Sequence, residues 1–146
     1  MNLGLEEKVA VITGGSDGIG KAAALSMSRE GVRVAIAARD QSKLDAAVAD
    51  ISDQTQNRVL GISTDVRDED SVRSLISQVV DEWGGIDILV NNAGTSSTSR
   101  LEDMSNEIMT ADIELKVYGA VYGTSCLLYT SPSPRDQRGT RMPSSA

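Results

Sequence analysis

Short apolar runs and longer amphipathic stretches alternate along most of the chain. Each apolar run is bounded by glycine, polar or charged residues, which is typical of buried β-strands. We predict four strands, at 9–12, 32–37, 59–63 and 85–90. The stretches between and after them have helical spacing, and we predict helices at 21–29, 42–51, 68–83 and 104–124.

The helix predicted at 68–83 has the clearest amphipathic pattern. Its apolar residues repeat at intervals of three and four, and they are Val72, Leu75, Ile76, Val79, Val80 and Trp83. This spacing builds one buried stripe, so we assign these residues to the core. Acidic residues at 68–70 suit the positive amino end of the same helix.

Two other predicted helices have weaker signals. The helix at 42–51 has two candidate N-caps, Asp40 and Ser42. The last helix has a less regular apolar face, formed by Ile108, Ile113, Leu115, Val117 and Val121.

The alternation of strands and helices predicts the fold class. It is typical of α/β proteins, in which helices cover both faces of a parallel sheet. Right-handed helical crossovers then connect the four strands. We therefore expect a three-layer, doubly wound parallel sheet that is truncated after about four strands.

Three glycines follow the first predicted strand. Residues 13–20 read Thr-Gly-Gly-Ser-Asp-Gly-Ile-Gly, between the strand and an alanine-rich helix. Gly14, Gly18 and Gly20 permit a tight turn, a close backbone approach to a diphosphate, and close packing of helix on strand. The free N–H groups and the positive dipole end of the helix favour an anion here. The alternative is a surface turn that is glycine-rich for conformational reasons alone.

Polar and small residues end the fourth predicted strand. The run at 85–90 is followed by Asn91, Asn92, Ala93 and Gly94. Open α/β sheets bind ligands beyond the carboxyl ends of their strands. This segment is therefore a second candidate for ligand binding.

Three motifs together resemble one family. Thr-Gly-x-x-x-Gly-x-Gly at 13–20, Asp-Val at 65–66 and Asn-Asn-Ala-Gly at 91–94 are similar, in order and spacing, to those of the classical short-chain dehydrogenase/reductases. The resemblance covers about residues 5–125 and corresponds to the N-terminal half of such a protein. It implies a Rossmann-like fold and an NAD(P)(H)-dependent oxidoreductase that transfers hydride between a carbonyl and an alcohol. The cofactor-binding residues that it implies are Gly14, Ser16, Asp17, Gly18, Ile19, Gly20, Arg39, Asp65, Val66, Asn92, Ala93 and Gly94.

The choice of cofactor depends on the end of the second strand. A carboxylate there binds the ribose hydroxyls of NAD and repels the 2′-phosphate of NADP. This chain has Ala38 and then Arg39, whose guanidinium can pair with the 2′-phosphate, so NADP(H) is favoured over NAD(H). Two considerations oppose this interpretation: Arg39 is alternatively a solvated loop cation, and NADP-preferring relatives often carry a basic residue where this chain has Asp17.

Asp65 follows the third predicted strand. The resemblance implies that its carboxylate accepts a hydrogen bond from the exocyclic amine of adenine, while Val66 offers its backbone. The alternative role of Asp65 is to cap the helix that follows.

The catalytic groups that the resemblance implies are missing from this chain. They are a serine that polarises the carbonyl, a tyrosine general acid, and a lysine four residues after that tyrosine. No lysine of this chain stands four residues after a tyrosine, and Tyr118 and Tyr122 are assigned to packing. Lys116 aligns with the helix asparagine of the family, which puts the usual proton relay in doubt. We expect this chain to be inactive, and the alternative function is a non-catalytic dinucleotide-binding protein.

The last 21 residues differ in character from the rest of the chain. Residues 126–136 are identical to the translation of a common transposase-type sequencing adapter, and 140–146 differ from its continuation only at Thr140. We therefore predict a half-domain at 1–125 and a non-native, disordered tail at 126–146. The alternative is a natural Pro/Ser-rich basic tail that binds a partner.

Composition narrows the choice of partners. Residues 1–125 carry 11 Lys and Arg against 20 Asp and Glu, a net charge of −9, which argues against nucleic acid and anionic membranes. They contain no cysteine or histidine, so we expect neither a disulfide framework nor a metal site. Without a signal peptide or a long apolar run in this region, we expect a cytoplasmic protein. The remaining expected partners are a nicotinamide dinucleotide and, for the intact parent, a small carbonyl or alcohol substrate and further copies in a homo-oligomer.

With its fourth strand at an edge, the half-domain is expected to be marginally stable and prone to aggregate.

Overall fold

A computed structural model of the protein describes residues 2–94 and 105–130. The strands are β1 (Val9–Thr13), β2 (Arg33–Ala38), β3 (Val59–Ser63) and β4 (Ile88–Val90). The helices are α1 (Gly18–Arg29), α2 (Gln41–Thr55), α3 (Glu69–Trp83), α4 (Asn106–Ile113) and α5 (Gly119–Thr130). A π-helical turn, Glu114–Tyr118, connects α4 to α5.

The four strands form one parallel sheet in the order β3-β2-β1-β4. In its register, Thr13 lies opposite Ala37 of β2, and Ile12 lies opposite Val90 of β4. The carboxyl ends of the central strands therefore meet at one edge of the sheet. This arrangement confirms the predicted α/β class and the doubly wound, Rossmann-like topology.

The core lies on both faces of the sheet, because alternate residues of a strand point to opposite sides. Val9 and Val11 of β1 pack with α3, and the same cluster contains Leu115 and Cys126. Ala10 and Ile12 pack on the other face with α1 and α2. The stripe predicted for α3 is confirmed, since Val72, Leu75, Ile76 and Val79 are buried and Val80 and Trp83 pack against them.

Side-chain caps set the first residues of four of the described helices, and Ser105 caps α4 by accepting from the N–H of Ile108 at 3.3 Å. Asp40, rather than Ser42, caps α2, and its carboxylate accepts from the backbone N–H of Lys43 at 3.1 Å. Asp68 caps α3 by accepting from the N–H of Asp70 at 3.0 Å. The helix predicted at 21–29 already begins at Gly18, because Asp17 caps it.

The fourth strand is shorter than its sequence pattern predicts. Asp87 exchanges two bonds with Val9, one from its backbone N–H to the Val9 carbonyl and one from the Val9 N–H to its carboxylate, both 2.9 Å. The carboxylate thus replaces a backbone acceptor, and the regular pairing begins only at Ile88. Within the described residues, β4 pairs with β1 alone.

The helix predicted at 104–124 differs most from expectation. Met104 lies outside the described residues, and the rest forms α4, the π-helical turn and α5. Of the predicted apolar face, Leu115 is buried and Ile108 is half-buried. Four exposed apolar residues other than Tyr118 follow a four-residue spacing, and they are Met109, Ile113, Val117 and Val121, here called the exposed row.

The tail predicted from residue 126 begins within α5, which continues to Thr130. Cys126 is only 7% exposed and belongs to the core cluster that contains Leu115. Leu127 packs against the same cluster. Cys126 and Leu127 are both apolar, so they extend the buried side of α5 towards its carboxyl end. The remainder of the predicted tail, 131–146, lies outside the described residues.

None of the helices in the described ranges has the length and apolar character needed to cross a bilayer.

Candidate functional site

The glycine turn after β1 forms the centre of the candidate site. Gly14 has a φ of 67°, and Gly18 has a φ of 53°, a backbone conformation that side chains disfavour. Gly14 and Gly15 both donate their N–H groups to the Ala37 carbonyl, at 2.8 and 3.3 Å, which fixes the turn against β2. A Cβ on Gly18 would meet open space, so the backbone is accessible there to a ligand.

Gly20 is required for packing. An ideal Cβ at this position would lie 2.5 Å from Asn92 Nδ2 and closer still to the carbonyl oxygen of Gly14. The first turn of α1 is therefore pressed against both the glycine turn and the end of β4. This matches the predicted role of the third glycine in close helix–strand packing.

Asp17 caps α1 from an extended conformation. Its Oδ1 accepts from the N–H of Gly18 at 2.8 Å, so a carboxylate lies at the positive end of the helix. An anion approaching this terminus would meet that negative charge. Of the neighbouring predicted residues, Ser16 is half-buried, while the side chain of Ile19 is 82% exposed.

Thr13 joins the glycine turn to the end of β4. Its Oγ1 donates to the Val90 carbonyl at 3.3 Å and accepts from the N–H groups of Asn92 and Ala93, both at 3.1 Å. Asn92 Nδ2 also donates to the Gly14 carbonyl at 3.2 Å. The two motifs that the sequence separates by about 80 residues thus form one hydrogen-bonded unit.

A cavity of about 110 Å³ opens beside this unit, at the carboxyl ends of the strands. Five of the predicted site residues line it, and they are Gly14, Arg39, Val66, Ala93 and Gly94. Its other lining residues are Ala38, which the sequence singled out together with Arg39, and Ala37, Thr64 and Leu115, for which the sequence contained no such signal. Small and aliphatic side chains and one arginine thus surround the space that the fold offers to a ligand.

Asp65 forms a bidentate ion pair with Arg67. Its Oδ1 accepts from the backbone N–H and the Nε of Arg67, and its Oδ2 accepts from Nη2, all at 3.0 Å. The Arg67 guanidinium holds the pKa of the Asp65 carboxyl below its usual value, against an opposing effect of burial. Asp65 does not cap α3, because Asp68 does, so the alternative role is wrong.

Lys116 lies beside the end of β4. Its Cε is 3.7 Å from the position of a Cβ on Gly94, and its ammonium is 3.8 Å from an Asp112 carboxylate oxygen. It belongs to the π-helical turn, a conformation that is common at functional sites. The position aligned with the family's asparagine is thus at the edge of the candidate site.

The two tyrosines after Lys116 differ in their surroundings. Tyr122 is half-buried and packs against the core, whereas Tyr118 is exposed. Their rings stack with centroids 6.1 Å apart. The packing predicted for Tyr122 is confirmed, whereas Tyr118, also assigned to packing, is 46% exposed and stacks on Tyr122 at the surface.

The described residues contain no group of three or more His, Cys, Asp or Glu side chains that could bind a metal ion.

Relatives of the chain have similar sequences over its length. An uncharacterized oxidoreductase of Staphylococcus saprophyticus is 35% identical over 124 residues, which are 85% of this chain and 53% of the relative. An uncharacterized oxidoreductase of Staphylococcus haemolyticus is 32% identical over 85% of this chain and 52% of its own length. The chain therefore spans about half the length of the curated relatives that it matches.

Solved structures with the same architecture include complexes with cofactor. L-sorbose reductase from Gluconobacter frateurii, complexed with NADPH and L-sorbose, superposes with a TM-score of 0.83 at 36% identity, over 89% of this chain and 49% of that one. An alcohol dehydrogenase from the archaeon Thermococcus sibiricus, complexed with 5-hydroxy-NADP, has a TM-score of 0.78 at 32% identity, over 84% and 52% of the two chains.

The family model of the short chain dehydrogenases matches residues 8–139. This range includes the glycine turn, the Asp65–Arg67 pair, the polar end of β4 and all of the described helices. The chain belongs to the short-chain dehydrogenase family.

Proposed function

We propose that the chain is the cofactor-binding half of an NADP(H)-dependent oxidoreductase that moves hydride between a carbonyl and an alcohol. The observation that supports this most strongly is the unit formed by Thr13, Gly14, Gly20 and Asn92. It lies beside the open backbone of Gly18, the amino end of α1 and a cavity at the switch between neighbouring strands, where doubly wound sheets bind dinucleotides.

The residues present fit a dinucleotide. The open face of Gly18 and the amino end of α1 suit the diphosphate, since the helix dipole favours an anion and no Cβ at Gly18 would block its approach. The cavity suits the adenosine, with Arg39 at its rim and Val66 in its wall. When bound, the nicotinamide would accept or donate the hydride. The chain's own residues bind and orient the cofactor.

The preference for NADP(H) is supported by the end of β2. Arg39 lines the cavity, and its neighbour Ala38 offers no carboxylate to a ribose 2′-hydroxyl. The Gluconobacter and Thermococcus proteins were solved with NADPH and 5-hydroxy-NADP respectively. We therefore assign to Arg39 the contact with the 2′-phosphate.

Turnover requires groups that this sequence does not contain. No Tyr-x-x-x-Lys occurs anywhere in the 146 residues, so the chain by itself is proposed to bind cofactor without catalysing reduction. The small carbonyl or alcohol substrate belongs to an intact parent about twice this length, as the half-coverage of the relatives supports.

A second function, dinucleotide binding without catalysis, is favoured by one observation. Lys116 stands beside Gly94, where the family's asparagine would otherwise be placed. A Tyr-x-x-x-Lys encoded downstream in the parent gene would decide for the enzyme, and its absence would decide for the binding protein.

The exposed row supports an assembly partner for the parent. Four apolar side chains on one surface of α4 and α5 are about half exposed in this chain. Such surfaces are usually covered in assemblies. We propose a homo-oligomeric, cytoplasmic parent that uses neither nucleic acid nor a membrane as a partner.

The end of the chain is proposed to be foreign to the gene. The adapter-like string from residue 126 supports this, although α5 and the family match both extend beyond residue 125. Re-sequencing the source gene across codon 125 tests it. A reading frame that continues into family sequence would establish the artefact, and a frame that ends after codon 146 would refute it.

The binding experiment titrates the full chain with NADPH and with NADH by isothermal calorimetry. We expect NADPH to bind more tightly, and Arg39→Gln to lower its affinity about tenfold with little effect on NADH, because only NADPH carries the paired phosphate. Arg58→Gln is the matched control, since Arg58 forms an exposed ion pair with Glu82. Failure to bind either dinucleotide would refute the proposal, and carbonyl reduction by this chain would refute its inactivity.

A further inference from the structure

We propose that Arg67 is a positioning residue that leaves the Asp65 carboxylate with a single acceptor site, and that this site selects adenine over 6-oxopurines. The inference rests on the proposed function, because it concerns the adenosine end of the same dinucleotide site. It adds a residue that neither the sequence motifs nor the cavity lining indicates.

The geometry of the pair carries the inference. Arg67 approaches both carboxylate oxygens of Asp65, with Nε on Oδ1 and Nη2 on Oδ2, both at 3.0 Å. The side chains are 35% and 37% exposed, so the pair is neither buried nor fully solvated. Two parallel bonds to one carboxylate fix its plane, which a single lysine contact would not do.

The backbone holds the carboxylate as well. The N–H of Arg67 donates to Asp65 Oδ1 at 3.0 Å, closing a turn two residues long. The N–H of Asp65 donates to Ser71 Oγ on α3, also at 3.0 Å. Replacing only the guanidinium would therefore leave the local backbone in place, which makes the side-chain contribution measurable.

Counting acceptor sites shows what remains for a ligand. A carboxylate has about four lone-pair sites, two on each oxygen. Within the described part of the chain, Oδ1 accepts two bonds and Oδ2 accepts one. One site on Oδ2 is thus left.

The remaining site can accept a hydrogen bond and cannot donate one. The 6-amino group of adenine donates a hydrogen bond, whereas the 6-oxo group of hypoxanthine or guanine carries only lone pairs. An ionised Asp65 would bind the 6-amino group and repel the 6-oxo group. A 6-oxopurine would also leave the free acceptor site of Asp65 without a donor, and leaving a polar group unpaired costs binding free energy.

Charges around Asp65 keep it ionised. Arg67 acts first, through its side-chain bonds, to hold the pKa of the carboxyl below its usual value, and the charge of Arg39 acts in the same direction. Asp65 in turn raises the pKa of Arg67, and the charge of Glu114, at the start of the π-helical turn, acts in the same direction. Removing the guanidinium should raise the pKa of Asp65, so that the carboxylate takes up a proton at a higher pH.

The test compares the full chain with Arg67→Gln, using NADPH and its reduced hypoxanthine analogue as the two ligands. We expect the wild-type chain to prefer NADPH, and Arg67→Gln to reduce that preference about tenfold, mainly by weakening NADPH binding. The loss of NADPH binding at acid pH should begin at a higher pH in this variant. Arg67→Lys should restore the pH dependence more than the selectivity, because it returns the charge without the two-pronged geometry.

The outcomes separate the two proposals. Arg58→Gln controls for the loss of an exposed cation and should change neither selectivity nor pH dependence. Dinucleotide binding with equal affinity for the two purines, or an Arg67→Gln variant that keeps both selectivity and pH profile, would overturn the role of Arg67 while leaving the proposed function intact. Absence of any dinucleotide binding would overturn both.

Discussion

Thr13 and Asn92 are joined by a hydrogen bond of 3.1 Å from the backbone N–H of Asn92 to Thr13 Oγ1. The same oxygen accepts from Ala93 and donates to Val90, so one buried hydroxyl makes three bonds across two strand ends. The Thr13 hydroxyl and the bond from Asn92 Nδ2 to the Gly14 carbonyl together hold the Asn-Asn-Ala-Gly segment against the glycine turn.

Replacing Thr13 by valine should destabilise the chain by about 2 kcal/mol. Valine keeps the shape but removes the oxygen, which leaves two part-buried N–H groups without their acceptor. Urea unfolding followed by circular dichroism measures the effect. Thr110→Val, an exposed position on α4, is the control, and equal midpoints for the two variants would contradict the role given to Thr13.

Replacing Gly20 by alanine should be more damaging, by about 3 kcal/mol, because the new methyl group meets backbone. The Gly14 carbonyl and Asn92 Nδ2 cannot both move away without opening the turn. Thermal unfolding and NADPH titration should show a lower Tm and lost binding. At Gly85 a Cβ meets nothing within 4 Å, so Gly85→Ala should unfold like the wild-type chain. Similar Tm values for both alanine variants would argue against a tightly packed turn.

Replacing Asp17 by asparagine should strengthen NADPH binding about threefold. The amide can still cap α1, but the negative charge at the phosphate-binding end is gone. Calorimetry at low ionic strength should show the gain, and salt should reduce it. Asp81→Asn, an exposed position on α3, controls for the change in net charge. Unchanged or weaker binding by Asp17→Asn would show that the carboxylate does not oppose the cofactor.

Cys126 should react slowly with thiol reagents. Burial raises the pKa of its thiol, and Arg73 offsets this only in part, so little reactive thiolate is present at pH 8. We expect Ser125→Cys in a Cys126→Ser background to react more than about tenfold faster, because position 125 on the same helix is exposed. Equal rates, measured with a chromogenic disulfide, would mean that α5 does not hold Cys126 in the core.

The sequence was most informative where one local pattern determines the outcome. The strand at 59–63 has the predicted bounds, and the spacing of apolar residues in α3 identified its buried side. The sequence could not decide between Asp40 and Ser42 as the N-cap of α2, because both side chains can accept a hydrogen bond from a helix N–H. The fold decides, since it places the Asp40 carboxylate next to the N–H of Lys43.

Interactions between distant segments could not be predicted in the same way. Nothing near Thr13 indicates that its hydroxyl meets residues about 80 positions away. The sequence contained only a weak signal for Arg67. An arginine two residues after an aspartate can form an ion pair with it, but most such surface pairs contribute little to stability. In the last helix, the apolar residues at 108–121 predicted a buried face without showing that most of it would remain exposed.

The π-helical turn at Glu114–Tyr118 has a consequence for the register of the helices on either side of it. In a regular α-helix four residues exceed one turn of 3.6, so side chains spaced by four drift around the axis. The wider π-helical turn counteracts that drift and keeps the exposed row closer to a straight line. Deleting one residue from this turn would rotate α5 by about 100° relative to α4, turning Cys126 away from the sheet and a different set of side chains towards it.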